Sequence, residues 1–118
     1  MNKVLVTGSA GFIGSTLSKK LLTRGDKVIG IDNHNNYYDP KIKDDRIGNL
    51  KKYKNYIHYK IDITDKNKLS EIFKTYKFQK VVNLAAQAGV RYSIENPLAY
   101  IESNIVGFTQ ILANCRNN

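Results

Sequence analysis

The 118 residues hold one cysteine, two prolines, and no apolar run approaching the ~20 residues that cross a bilayer. A lone Cys115 excludes an internal disulfide and suits a reducing compartment, where it reads as an ordinary structural thiol. Met1-Asn2-Lys3 leads straight into a short apolar segment, without the longer apolar core of a secretory signal. The expectation is a soluble, cytoplasmic protein with no membrane partner. Internal repeats, low-complexity tracts and linkers are missing too, so the length suits one domain, which buries roughly two-thirds of the surface its unfolded chain exposes.

Acids are scarce, 10 against 19 lysines and arginines, for a net charge of +9. Such an excess points toward polyanions. The lysines scatter, however, from Lys19-Lys20 through Lys41, Lys43 and Lys51-Lys52 to Lys74, Lys77 and Lys80, as solvated helix and loop faces do. No nucleic-acid partner and no metal site are expected.

What is present alternates. Lys3-Val4-Leu5-Val6-Thr7 is a nearly continuous apolar run, as in a strand buried on both faces of a parallel sheet. Ile13, Leu17, Leu21 and Leu22 then recur at helical spacing, and Gly25 stands where a left-handed cap would end the helix. Lys27 to Asp32 reads as a second strand, and a short helix is expected around Lys43 to Lys52. Tyr56 to Ile61 makes a third strand. Leu69, Ile72, Phe73 and Tyr76 mark a helix with Thr64 or Asp65 as its cap, and Val81 to Leu84 a fourth strand. Asn96-Pro97 starts a last helix, whose stripe of Leu98, Ile101, Ile105, Phe108 and Leu112 carries it to about Arg116. Strands alternating with helices predict an α/β fold, a doubly wound parallel sheet of order 3-2-1-4 with ligands at the carboxyl ends beside the first strand.

Gly8, Gly11 and Gly14 occupy that position. A pyrophosphate reaches a helix N-terminus only where no Cβ stands in its path, which suits Gly8 and Gly11, while Gly14 lets the helix press onto the strand. The spacing is Gly-x-x-Gly-x-x-Gly, one residue longer in its first half than the familiar dinucleotide fingerprint. Asp32, 18 residues beyond Gly14, could accept both ribose hydroxyls of an adenosine and repel a 2′-phosphate, favouring NAD over NADP, or simply cap its own turn. Asp62-Ile63 could hold the adenine, or Asp62 could cap the next helix.

Thr7-Gly8-Ser9-Ala10-Gly11-Phe12-Ile13-Gly14, Asp32, Asp62-Ile63, Asn83-Leu84-Ala85-Ala86 and Asn104-Ile105-Val106-Gly107 together resemble the extended short-chain dehydrogenase/reductase family of nucleotide-sugar epimerases and dehydratases. Asn35-Asn36-Tyr37-Tyr38-Asp39 and Ala85 to Ser93 are similar to its UDP-glucuronate 4-epimerases of capsule and cell-envelope polysaccharide synthesis. The resemblance implies a Rossmann-type domain and a retained NAD that takes hydride from sugar C4 and returns it to the opposite face. It implies that Gly8, Gly11, Phe12, Ile13 and Gly14 hold the pyrophosphate, and Asp32, Asn33 and Asn35 the ribose. Asp62 and Ile63 would meet adenine, and Leu84, Ala85, Ala86 and Gln87 the nicotinamide side, with Ser103 nearby. Arg91 would bind a sugar carboxylate or cofactor phosphate, or stand as a solvated loop arginine; Tyr37 and Tyr38 would lie near the substrate or merely cover their loop.

The family's proton acceptor is a tyrosine of a helical Tyr-x-x-x-Lys pair, its phenol made more acidic by the lysine. Tyr56 and Lys60 have the spacing but fall on a predicted strand, where four residues separate side chains by about 13 Å. No residue here is assigned a catalytic role. The expectation is the N-terminal part of an NAD-binding domain, inactive alone, with the fifth and later strands and the substrate domain absent. The full-length protein would take a UDP-sugar and form a homodimer. A 4,6-dehydratase and a non-catalytic NAD-binding sensor are the alternatives.

Overall fold

Val4, Leu5 and Val6 are all fully buried, which a strand achieves only where both faces of its sheet are covered. A computed structural model describes residues 2–33, 40–85 and 96–118, of which Pro40, Ala99, Tyr100, Glu102 and Ser103 are described by backbone alone. Strands β1 (Lys3–Thr7), β2 (Lys27–Asp32), β3 (Tyr56–Lys60) and β4 (Lys80–Asn83) pair in parallel in the order β3-β2-β1-β4. The register sets Thr7 opposite both Ile31 and Asn83, so the carboxyl ends of the three strands come level.

Period-two alternation divides the core. Val4, Val6 and Val28 point to one face, where Leu22 of α1 (Phe12–Arg24) and Ile47 and Leu50 of α2 (Pro40–Leu50) cover them. Leu5, Ile29 and Ile31 point to the other, under Leu69, Ile72 and Phe73 of α3 (Lys66–Tyr76) and Ile111 of the last helix. Fully burying one such side chain is worth about 1.5–3 kcal/mol, so truncating Leu5, at the centre of the sheet, would cost about 2–5 kcal/mol.

Helix ends follow local chemistry. Gly25 adopts φ 102° and its N–H donates to Leu22, closing α1 as expected. Asp65, not Thr64, caps α3 by accepting the N–H of Lys68 at 3.3 Å. The second helix begins and ends earlier than expected because Pro40 takes its first position, the start signal also used at Pro97. Strand β3 stops one residue short of Ile61, and β4 runs from Lys80 rather than Val81.

The last helix departs most from expectation. It comprises α4 (Pro97–Ile101), a π-helical segment (Glu102–Gly107) and α5 (Phe108–Asn117), and a three-and-four spacing cannot register the π turns. Its stripe of Leu98, Ile101, Ile105, Phe108 and Leu112 is exposed, while Ile111 packs against α3 and Gln110 donates to the Thr64 carbonyl at 3.1 Å. Apolar periodicity marks a face to be covered without saying what covers it. Among the described residues, no helix is long and apolar enough to cross a membrane.

Candidate functional site

The glycine turn is tied to β2 by its own backbone. The N–H groups of Gly8 and Ser9 both donate to the Ile31 carbonyl, at 2.7 and 3.2 Å, and that of Gly11 returns to Gly8 at 3.0 Å. Gly8 adopts φ +74°, and a Cβ there would lie 2.8–2.9 Å from the backbone of Leu84 and Ala85. A Cβ at Gly14 would fall 2.0 Å from the Gly8 carbonyl. Both glycines thus make room for the chain's own backbone, at the exit of β4 and within the turn, a stricter requirement than a ligand's approach. Gly11 is less crowded, its nearest atom being the Gly8 oxygen at 3.2 Å.

Beyond Gly11 the helix N-terminus is open. Gly11 stands at the N-cap of α1 without a side-chain cap, and no acid occupies the first turn. The first N–H groups of a helix have no partner inside it and sit at the positive end of its dipole, so this end suits a phosphate. Phe12 and Ile13, 75% and 67% exposed, flank it, although the sequence pattern set Ile13 on the helix's apolar side. Two large apolar side chains at an uncapped helix end form a surface that a bound nucleotide would cover.

Asp32, at the end of β2, is only 4% exposed and is held by groups of the fold itself. Its Oδ2 accepts the Ala10 N–H at 3.1 Å, and its Oδ1 pairs with Lys43 Nζ at 3.0 Å. Arg46, one turn further along α2, donates to the Ala10 carbonyl at 3.2 Å and stands over the Phe12 ring. Beneath the turn, the Tyr56 hydroxyl lies 3.2 Å from Ser9 Oγ and 2.8 Å from His58 Nδ1. Burial pushes the Tyr56 phenol up to about 12; the Ser9 hydrogen bond pulls it down and the Asp32 charge pushes it further up. A Cβ at Gly30 would lie 2.2 Å from that hydroxyl, so the bare position in β2 is where Tyr56 reaches through to Ser9.

At the end of β3, Asp62 Oδ1 accepts the N–H and hydroxyl of Thr64, and Oδ2 lies 3.5 Å from the Asn33 amide nitrogen. Burial pushes this carboxyl up, but the two Thr64 bonds and Asn33 outweigh it and hold it below the usual range. Asp62 therefore closes its own turn, while α3 is capped by Asp65. Ile63 belongs to the core under α3 rather than standing clear at the sheet edge. On the opposite side, Thr7 Oγ1 donates to Asn83 Oδ1 and accepts the N–H groups of Leu84 and Ala85, each at 3.1 Å.

The structure thus brings Gly8, Gly11, Phe12, Ile13, Gly14, Asp32 and Asn33 to one edge of the sheet, with Asp62 beyond β2 and Leu84 and Ala85 beyond β1. Asn35, Ala86, Gln87, Arg91, Tyr37 and Tyr38 lie outside the described residues, as does the side chain of Ser103. Sequence reasoning missed Thr7, Lys43 and the Ser9–Tyr56 pair. A buried threonine ending an apolar strand was a visible signal for the first; nothing local distinguishes Lys43 from its neighbours. Nor is the Tyr-x-x-x-Lys spacing confined to Tyr56. It recurs at Tyr37–Lys41, which begins outside the described residues, and at Tyr76–Lys80, which straddles the end of α3 and the start of β4. Cys115 is exposed, and partial burial pushes its thiol up, away from the reactive thiolate.

Residues 5–118 match the family model described as GDP-mannose 4,6 dehydratase. Protein CapI of Staphylococcus aureus is 53% identical over 110 residues, which cover 93% of this chain and 33% of that protein. UDP-glucuronate 4-epimerase 4 of Arabidopsis thaliana is 49% identical over 114 residues, 97% of this chain and 26% of its own length. Among solved structures, UDP-glucuronic acid 4-epimerase of Bacillus cereus, in complex with UDP-glucuronic acid and NAD, superposes with a TM-score of 0.90 at 33% identity. That match covers 98% of this chain and 37% of the other. The chain spans about a quarter to a third of the length of the curated relatives it matches.

Proposed function

Since the chain belongs to the NAD-dependent epimerase/dehydratase family that the GDP-mannose 4,6-dehydratase model describes, we propose that it is the cofactor-binding part of a UDP-glucuronate 4-epimerase. The full-length protein interconverts UDP-glucuronate and UDP-galacturonate in the cytoplasm, for capsule or cell-envelope polysaccharide. The observation that carries this reading is an uncapped helix N-terminus beside a buried carboxylate, in a chain 49% identical to a UDP-glucuronate 4-epimerase.

In this reading the open N–H groups at Phe12 and Ile13 hold the pyrophosphate, Asp32 and Asn33 the adenosine ribose, and Asp62 the adenine edge. Thr7 fixes the backbone at Leu84 and Ala85, which line the nicotinamide side. Asn35, Ala86, Gln87 and Ser103 complete the site, and Arg91 takes the sugar carboxylate or a cofactor phosphate. NAD held there would supply reversible hydride chemistry at sugar C4. No residue of the 118 is assigned the sugar hydroxyl's proton: Tyr56 and Lys60 lie on β3, Tyr76 and Lys80 fall on different elements, and Tyr37 lies outside the described residues. The exposed stripe from Leu98 to Leu112 is the surface on which the full-length protein pairs as a homodimer.

The test is to purify the full-length protein, assay its bound nucleotide, and incubate it with UDP-glucuronate. Retained NAD and appearance of UDP-galacturonate are expected. Loss of water from a sugar nucleotide would favour a 4,6-dehydratase, and NAD binding without turnover a sensor.

A further inference from the structure

A strand-terminal aspartate that accepts ribose hydroxyls is ordinarily an electrostatic barrier to a 2′-phosphate. Here that barrier is compensated inside the fold. Asp32 Oδ1 is 3.0 Å from Lys43 Nζ, and the pair is withdrawn from water, with the two side chains 4% and 12% exposed. Arg46, three residues on along α2 and so on the same helix face, bonds the Ala10 carbonyl immediately above the N–H that Asp32 Oδ2 accepts. The carboxylate, the turn and two cations of α2 thus form one cluster. A group bound on Asp32 lies within one side chain's reach of Lys43.

We propose that Lys43 is a specificity-determining residue, which offsets the charge of Asp32 and so lets the adenosine end of the site tolerate a 2′-phosphate better than an uncompensated aspartate would. The inference rests on the NAD-binding reading above. Charges a few ångströms apart and partly shielded from water interact strongly enough to move a phosphate's affinity by about tenfold or more. The ammonium has three N–H donors, and its bond to Asp32 leaves others to offer a ribose oxygen or a phosphate.

The test is titration calorimetry of the nucleotide-free full-length protein with NAD and, separately, NADP. Read as the ratio of the NADP to the NAD dissociation constant, Lys43→Met is expected to raise discrimination about tenfold, Lys43→Arg to keep it near wild type, and Asp32→Asn to lower it. A merely structural lysine would weaken both nucleotides together and leave the ratio alone. A ratio within twofold of wild type in Lys43→Met, with NAD still bound, overturns the proposal. If Lys43→Met does not fold, Lys43→Gln, which also removes the charge but keeps a polar end, decides by the same criterion, and a ratio within twofold of wild type there overturns it equally. Wild-type protein that binds neither nucleotide overturns the NAD-binding reading itself, and the proposal with it.

Discussion

Thr7 and Asn83 stand opposite each other at the ends of β1 and β4, joined by a hydrogen bond from the threonine hydroxyl to the asparagine amide oxygen. The same hydroxyl receives the N–H groups of Leu84 and Ala85. One fully buried oxygen thereby holds the start of the loop that follows β4.

Thr7→Val keeps the shape and removes that oxygen, leaving the Asn83 side chain and the Ala85 N–H short of a partner, while the Leu84 N–H keeps its bond to the Thr7 carbonyl at 3.1 Å. Buried polar groups left unsatisfied cost about 1–3 kcal/mol each where water cannot reach them, so a loss of about 2 kcal/mol is expected from chemical denaturation. Thr7→Ser, which retains the hydroxyl, should recover most of it.

Gly14→Ala sets a methyl group 2.0 Å from the Gly8 carbonyl, where backbone and not a pliant side chain must yield. The helix can move only by lifting off the turn. A fall of at least about 3 kcal/mol in stability, or failure to accumulate as folded protein, is expected. Gly11→Ala, with its nearest contact at 3.2 Å, should be markedly milder by the same measurement.

Tyr56 makes stability depend on alkaline pH. Its phenol ionises near 10 when unfolded and at about 12 in the fold, so between these values the unfolded chain gives up the proton first. Stability present below pH 10 is therefore lost progressively up to pH 12, by about 2–3 kcal/mol from this residue at one pKa unit per 1.36 kcal/mol. Tyr76, pushed up to about 12 by burial and by the Tyr59 hydroxyl, acts in the same direction. Tyr56→Phe should flatten the alkaline limb of a stability–pH curve without abolishing it, and cost about 1 kcal/mol at neutral pH through the lost hydrogen bonds.

Ile13→Asn separates binding from folding. The side chain is mostly exposed, so its replacement should change the denaturation midpoint by less than about 0.5 kcal/mol. Affinity for NAD should fall about fivefold or more if the nucleotide covers this surface, as an isotherm of the variant would reveal.

These outcomes divide what the chain announces locally from what it does not. The strand order, the turn and the acid at the end of β2 are written in short-range patterns: apolar runs buried on both faces, glycines where a Cβ would collide, an acid at a strand's end. Lys43 was hidden among scattered lysines because its importance comes from a contact eleven residues back, across a crossover that no periodicity encodes. The stripe from Leu98 to Leu112 was visible as apolar but not as outward-facing, since spacing carries no information about a partner. Ser9 and Tyr56 were invisible as a pair for the same reason, being 47 residues apart.

The contact between Tyr56 and the empty side of Gly30 carries a historical corollary. Position 30 cannot change first: any side chain there requires position 56 to surrender its ring or its hydroxyl and Ser9 Oγ, 2.6 Å from the added Cβ, to turn aside. Lineages that drop the tyrosine are the ones expected to admit alanine or serine in the second strand, and an inventory of descendants would show the two positions drifting in step.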